Sequence, residues 1–215
     1  MDAAVAEPTR TEVNKPAANR LGRKRDHSRD GDILDAALEV LAETGYDGMT
    51  IDMVAARAKA GKATLYRRWE SKAELVIDAV ACMKQTDLDP AHLPDTGTLR
   101  GDLIAMIKTP TIQEGERKLR VMSGLASLIS RSPELAETAR QAIIEPRLAL
   151  NRTLMQRARD RGEIAADADI ELAAMIAPAM ISYRVLMLRT PSTREFMVSL
   201  IDTVILPSLG IRPSA

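Results

Sequence analysis

One cysteine, two histidines and five aromatic residues in 215 positions leave little material for several kinds of protein. The lone Cys82 excludes an intrachain disulfide and fits a reducing, cytoplasmic setting. It falls on the apolar side of a helical pattern and is expected to be a small core residue. His27 and His92 have no partner at metal-ligand or nucleophile spacing. The patterns HExxH, GxSxG and GxGxxG do not occur. Neither an enzyme nor a metal or cofactor protein is therefore expected. Aromatics make up 2% of the chain and hydrophobic residues 46%, so any core is built from aliphatics and methionine, which favours helices over sheets. Net charge is zero, with 30 basic against 30 acidic residues. Contact with a polyanion must then come from a local patch. The first residues are polar and lack the apolar run of a secretory leader. The longest apolar stretch, Ile170 to Leu188, is interrupted by Glu171, Pro178, Ser182 and Arg184, which argues against a bilayer span.

What is present is helical periodicity with clear punctuation. Residues 1–27 lack periodicity, are rich in Ala, Pro and charge, and read as a disordered arm. Its Arg20, Arg23, Lys24 and Arg25 could add phosphate or minor-groove contacts, or simply solubility. A first helix runs to Thr44, with Ile33, Ala37, Val40 and Leu41 inward and Gly45 as its stop. A compact helical domain is expected over 28–86 and a linker over 87–97. A second helical domain over 98–215 has helices near 98–109, 116–131, 133–161, 168–189 and 192–207. Pro146 should kink or split the third of these.

The densest signal is TIDMVAARAKAGKATLYRRWESKAEL, Thr50 to Leu75. Thr50 is placed to cap a short helix, and Asp52 favours its positive end. Ile51, Val54, Ala55 and Ala58 form one inward face. Lys59-Ala60-Gly61 is a turn. The next helix, Lys62 to about Arg68, buries Leu65 and Trp69, four apart. Its other side carries Lys62, Ala63, Thr64, Tyr66 and Arg67, small, hydroxyl or cationic groups suited to base edges and phosphates. Ser71 and Glu74 form a capping box that starts another helix at Lys72, whose first turn could clamp a phosphate. From Arg57 to Lys72 six cations face one acid, a local +5 on a neutral chain. This is the layout of a helix-turn-helix that lays one helix in a DNA major groove.

In this stretch the chain resembles the tetracycline-repressor (TetR) family, whose usual text is close to VAxxAGVSKxTLYxxFxSKxxL. Val54, Ala55, Ala58, Lys62, Thr64, Leu65, Tyr66, Trp69, Ser71, Lys72 and Leu75 are in register without a gap. The departure is the turn, where Lys59-Ala60-Gly61 replaces Gly-Val-Ser. Gly61 should cap less well than serine by a few tenths of a kcal/mol. Lys59 falls where φ is positive, at roughly 1 kcal/mol for a residue other than glycine.

The resemblance implies an all-α homodimer: an N-terminal three-helix DNA-binding domain and a C-terminal helical domain that binds a ligand and dimerises through its last two long helices. Arg161-Gly162-Glu163, Asp169, Ala173, Pro178, Tyr183 and Arg184 resemble one of the family's C-terminal types. Fifteen of the nineteen residues from Ile170 to Leu188 are A, V, I, L, M or Y, so this helix needs cover on two sides. Leu172, Ile176, Ala179 and Tyr183 form one candidate interface stripe, and Leu200, Ile201 and Val204 a second. Met106, Met122, Met155, Met175 and Met180 are candidate pocket residues, as is Met187, although methionine at helical spacing also serves ordinary cores. The expected partners are a double-stranded DNA operator, a second copy of the chain and a small apolar or amphipathic effector, with no membrane. The leading expectation is a repressor released by its effector. The alternative is a ligand-independent activator or architectural DNA-binding protein.

Overall fold

The computed structural model describes residues 28–86, 93–108 and 111–211. The expected arm with Arg20, Arg23, Lys24, Arg25 and His27, and most of the expected linker with His92, lie outside the described residues. Among those described, all regular structure is helical, in eleven helices.

The first is α1 (Ser28–Gly48). Ile33, Ala37, Val40 and Leu41 are buried along it as the periodicity predicts. Helical bonding resumes past the expected stop, but Gly45 breaks the backbone there at φ 68°. That value is easy only for glycine. The break turns Tyr46 and Met49 into the core. Next come α2 (Ile51–Arg57), α3 (Lys62–Tyr66) and α4 (Lys72–Thr86). In α4, Leu75, Val76 and Val80 have no exposure at all.

Beyond the linker lie α5 (Leu99–Ala105), α6 (Ile112–Ile129), α7 (Pro133–Ala139), α8 (Glu145–Asp160), α9 (Ile170–Ser182), α10 (Arg194–Leu200) and the single turn α11 (Leu206–Ser208). Helix α6 starts four residues before its expected place. Thr111 and Glu114 make a full capping box there, a signal present in the sequence and passed over by periodicity alone.

The proline expectation is corrected in form. Pro146 does not split α7 from α8; a π-helical turn, Arg140–Ile144, joins them into one continuous rod. Proline cannot donate to the carbonyl four residues back, and its ring crowds that carbonyl. The preceding residue, Glu145, bonds five back to Arg140 instead. Pro207 repeats the pattern after the π turn Ile201–Ile205. A third π turn, Tyr183–Met187, extends α9.

Two apolar clusters hold the chain. The first joins α1–α4 to Val121, Leu125 and Leu128 of α6 and to Ala139 and Ile143. The second joins α5, α8, α9 and α10 through residues such as Leu99, Leu154, Ala174 and Ile201. The N-terminal helices therefore share their core with α6 and α7 rather than closing on themselves. The second cluster is tied at one end by Asp102, which is fully buried. It accepts from Thr96 N at 2.6 Å and Thr96 Oγ1 at 2.8 Å and pairs with Arg161 at 3.1 Å. Glu163 accepts from Leu99 N at 2.7 Å. Arg161 and Glu163 thus anchor α5 to the end of α8.

The α1–α6 seam depends on Gly124. A methyl group there would stand 2.6 Å from Leu41 Cδ1, inside a closed core. Gly124→Ala should therefore destabilise the fold by about 1–3 kcal/mol through overpacking, read as a lower midpoint in urea unfolding.

Candidate nucleic-acid interface and effector cavity

The interface is set up by helix ends. Thr50 caps α2, its Oγ1 accepting from Met53 N at 3.2 Å, and stays exposed. Gly61 caps α3 with no side-chain bond, as the sequence predicts. Lys59 holds φ 48°, the expected left-handed value. Arg29 secures this strained turn by donating to the Lys59 carbonyl at 3.2 Å. On α3, Leu65 and Trp69 are buried, and the Trp69 indole donates to Asp78 of α4 at 2.9 Å. The opposite face presents Lys62, Ala63, Tyr66 and Arg67 to solvent, with Tyr66 half exposed and Thr64 partly covered.

Two sequence expectations change in three dimensions. The local +5 is largely neutralised from outside its own segment. Arg57 pairs with Glu39 at 3.1 Å and Glu43 at 2.7 Å, and Arg68 pairs with Asp30, all three acids lying on α1. The hydrogen bond from Arg57 holds the Glu43 carboxyl below its ordinary range. Lys62 pairs with Asp52 at 2.8 Å, and that hydrogen bond raises the ammonium's pKa. Among the described residues Lys59 and Arg67 keep unpaired charges on this face. Second, Lys72 is not a free cation at a helix start. Its ammonium donates to Tyr46 O at 2.8 Å and Met49 O at 2.9 Å, 4.2 Å from the centre of the Tyr46 ring. Two of its three donors brace the α1–α2 corner. Its capping box is also modified: Ser71 caps Glu74 N, but the Glu74 carboxylate accepts from Glu70 N.

A partly open cavity of about 270 Å³ lies between α4, α6, α8, α9 and α10. Met106 and Met122 line it. Met155 lines a void of about 30 Å³ beneath it, which shares Met106, Arg147 and Ala177 with the larger cavity. Met175, Met180 and Met187 do not line either space, because they face outward on α9 and its π turn. The same helix therefore has two uses. Ala177, Pro178, Ile181 and Ser182 form a cavity wall, while Leu172 at 62% exposure, Ala179 and Tyr183 at 52% form an open apolar face. Ile176 sits at the edge of that face, partly covered. Of the second expected stripe only Val204 is exposed; Leu200 and Ile201 are buried in the chain's own core. The π turn that starts at Ile201 shifts the helical register there. Cys82 is likewise exposed rather than in the core.

Residues 33–79 match the profile of bacterial regulatory proteins of the tetR family, and residues 93–204 match a tetracyclin repressor-like C-terminal domain. The second match alone covers more than half of the chain. The chain belongs to the TetR family. An uncharacterized HTH-type transcriptional regulator of Mycobacterium tuberculosis is 37% identical over 182 residues, covering 84% of this chain and 88% of that one. A DNA-binding transcriptional repressor, TetR, of Mycobacteroides abscessus is 35% identical over 191 residues, covering 89% and 98%. The crystal structure of the TetR-family regulator SCO0332 superposes with a TM-score of 0.63 at 25% identity, covering 86% and 100%. This TetR-family chain is a DNA-binding transcriptional regulator and not an enzyme.

The Lys72 brace gives a test separable from DNA binding. Lys72→Ala leaves two partly buried carbonyls without their charged donor. Unfolding free energy should fall by about 1.5–3 kcal/mol in a urea titration.

Proposed function

We propose that this protein is a homodimeric repressor that acts on an operator in the cytoplasm and leaves it when a small molecule fills the cavity. The observation that carries the DNA half is the division of α3. Leu65 is buried with Trp69, while Lys62, Ala63, Tyr66 and Arg67 face outward on one side. In this reading Lys62, Ala63 and Thr64 at the start of α3 meet base edges, and Thr50, Tyr66 and Arg67 meet phosphates. Lys72 holds the corner that presents them and offers a phosphate at most its third donor.

The dimer half rests on the open face of α9. Leu172, Met175, Tyr183 and Met187 are all at least half exposed in one chain. A row of large apolar side chains of this extent marks an interaction surface, and a second copy would cover it in a bundle-like packing. The helix through Ile170–Met187 is long and apolar enough to cross a membrane by length and composition, with only 22% of that window buried. Glu171, Pro178 and Arg184, together with its inner contacts to α8, favour the dimer.

The release half rests on shared walls. Lys84 of α4 borders the cavity, and α4 also holds Trp69 through Asp78 and the α1–α2 corner through Lys72. A ligand that fits only one position of α4 would change the separation of the two recognition helices. It must discriminate between two conformers, because equal affinity shifts nothing.

Gel-shift titration on the duplex upstream of the protein's own gene tests the docking. Arg67→Ala should weaken binding to all sequences alike and shallow the salt slope by about one unit, while Tyr66→Phe removes a single hydroxyl contact. Unchanged affinity in both would put DNA on another face. Ala179→Arg places a charge in the middle of the proposed interface, where desolvation costs several kcal/mol. Sedimentation should then show monomer or aggregate, with operator binding lost. An unaltered dimer would move the interface elsewhere.

A further inference from the structure

We infer that the turn before α3 is itself a phosphate-binding element of the DNA interface, with Lys59 and Arg29 as its two cations. This rests on the reading of α3 as the groove-facing helix. The backbone of the turn is arranged against ordinary preference. Lys59 holds φ 48°, a left-handed value that is costly for any residue with a Cβ. Gly61, two residues on, holds φ −70° and ψ 137°, an extended conformation open to every residue. A methyl group on Gly61 would meet only Thr64 Oγ1 at 3.7 Å, an ordinary contact. A glycine therefore stands where none is needed, and a lysine stands where glycine fits best. Strain retained at one such residue points to a use beyond packing.

The charges supply that use. The Lys59 side chain is exposed and makes no hydrogen bond or ion pair among the described residues. Arg29, at the start of α1, donates from Nη2 to the Lys59 carbonyl at 3.2 Å. That bond holds the guanidinium at the turn, occupies one of its five donors and leaves its charge unbalanced. No carboxylate pairs with either cation among the described residues. Their neighbours differ, since Arg57, Lys62 and Arg68 are each paired with an acid. The turn thus carries two unbalanced positive charges directly before α3. Gly61 is exposed and presents bare backbone between Lys59 and Lys62, which lets a phosphate strand come close.

A lysine in this place reads no base. Phosphate contacts fix orientation and register, and they add affinity through counterion release whatever the sequence. A lysine kept for folding would make the protein less stable when replaced. A lysine kept for phosphate leaves a relaxed turn and a weaker complex when it becomes glycine. The two roles therefore give stability changes of opposite sign.

Gel-shift titration of the full-length Lys59→Gly, Lys59→Asn and Lys59→Arg variants tests the contact. The probes are the duplex upstream of the protein's own gene and a random-sequence duplex of equal length. Glycine and asparagine accept the left-handed backbone and carry no charge. The urea midpoint of Lys59→Gly should equal or exceed that of the wild type. Its affinity for both duplexes should fall about fivefold or more at roughly 0.1 M salt, with a salt slope shallower by about one unit for each protomer bound. Lys59→Asn and Arg29→Gln should lose affinity in the same way, and Lys59→Arg should keep it. Unchanged affinity in Lys59→Gly beside a loss in Arg67→Ala would overturn the turn contact and leave the docking of α3 in place. Unchanged affinity in both would remove the docking and this inference with it. A loss on the upstream duplex alone, with the salt slope unaltered, would assign Lys59 to the pose of α3 and overturn the phosphate contact. Equal losses in Lys59→Asn and Lys59→Arg would also overturn it, whatever the stability of the glycine variant.

Discussion

The structure depends on the burial of α4 along most of its length. Leu75, Val76, Ile77, Ala79, Val80 and Ala81 are all in the core, and the helix packs between α1, α6 and the rod formed by α7 and α8. A helix enclosed in this way cannot move alone, since protein interiors are packed as densely as organic crystals. Its start is fixed to the helix-turn-helix by Lys72 and by the Trp69–Asp78 bond, and Lys84 near its end reaches the cavity. Cavity and helix-turn-helix are therefore connected by one rigid element. That the first apolar cluster includes α6, Ala139 and Ile143 has the same consequence. The DNA-binding helices have no separate core that could isolate them from what happens behind them.

The turn before the recognition helix shows how a sequence departure is accommodated. Lys59 keeps its positive φ and exposes its charge, and Arg29 holds its carbonyl. A cation replaces the glycine that resembling sequences carry at this position. The strain is of the order of 1 kcal/mol, and the position leaves Lys59 beside Lys62 and Arg67 on the open face. The acids of α1 take Arg57 and Arg68 out of that field. The positive surface is consequently narrower than the linear count of cations indicates, and it is centred on α3.

Local signals were legible in the sequence. The Thr50 cap, the Leu65–Trp69 stripe and the start of α4 after Ser71 each depend on residues within one or two turns, and the left-handed Lys59 is what the family resemblance implies. What was not legible depended on distance or register. Pairing of Arg57 with Glu39 and Glu43 joins residues 18 and 14 positions apart. The carbonyls that take Lys72 lie 26 and 23 positions back. Leu200, Ile201 and Val204 read as one stripe because an ideal helical period was assumed; the π turn from Ile201 breaks that period, so Val204 is exposed while Leu200, Ile201 and Ile205 lie in the chain's own core. The convergence of Lys84, Lys108, Lys118 and Arg147 has no local signature at all, since each is an ordinary cation on its own helix or loop. These four and Ser192 come to line one cavity only when α4, α6, α8 and the segments after α5 and before α10 are brought together.

The central claim, that the cavity and the two recognition helices are mechanically linked in a dimer, is tested most directly by an electron-spin distance. The exposed Cys82 is replaced by serine, and a spin label is placed on Ala63→Cys at the outer face of α3. On operator DNA the account predicts one sharp label-to-label distance consistent with recognition helices about 34–36 Å apart, the spacing of successive major grooves. Addition of a ligand that empties the operator should move that distance to a new, equally defined value. Absence of any inter-label distance, or the same distance with and without a ligand that abolishes DNA binding, would contradict the account.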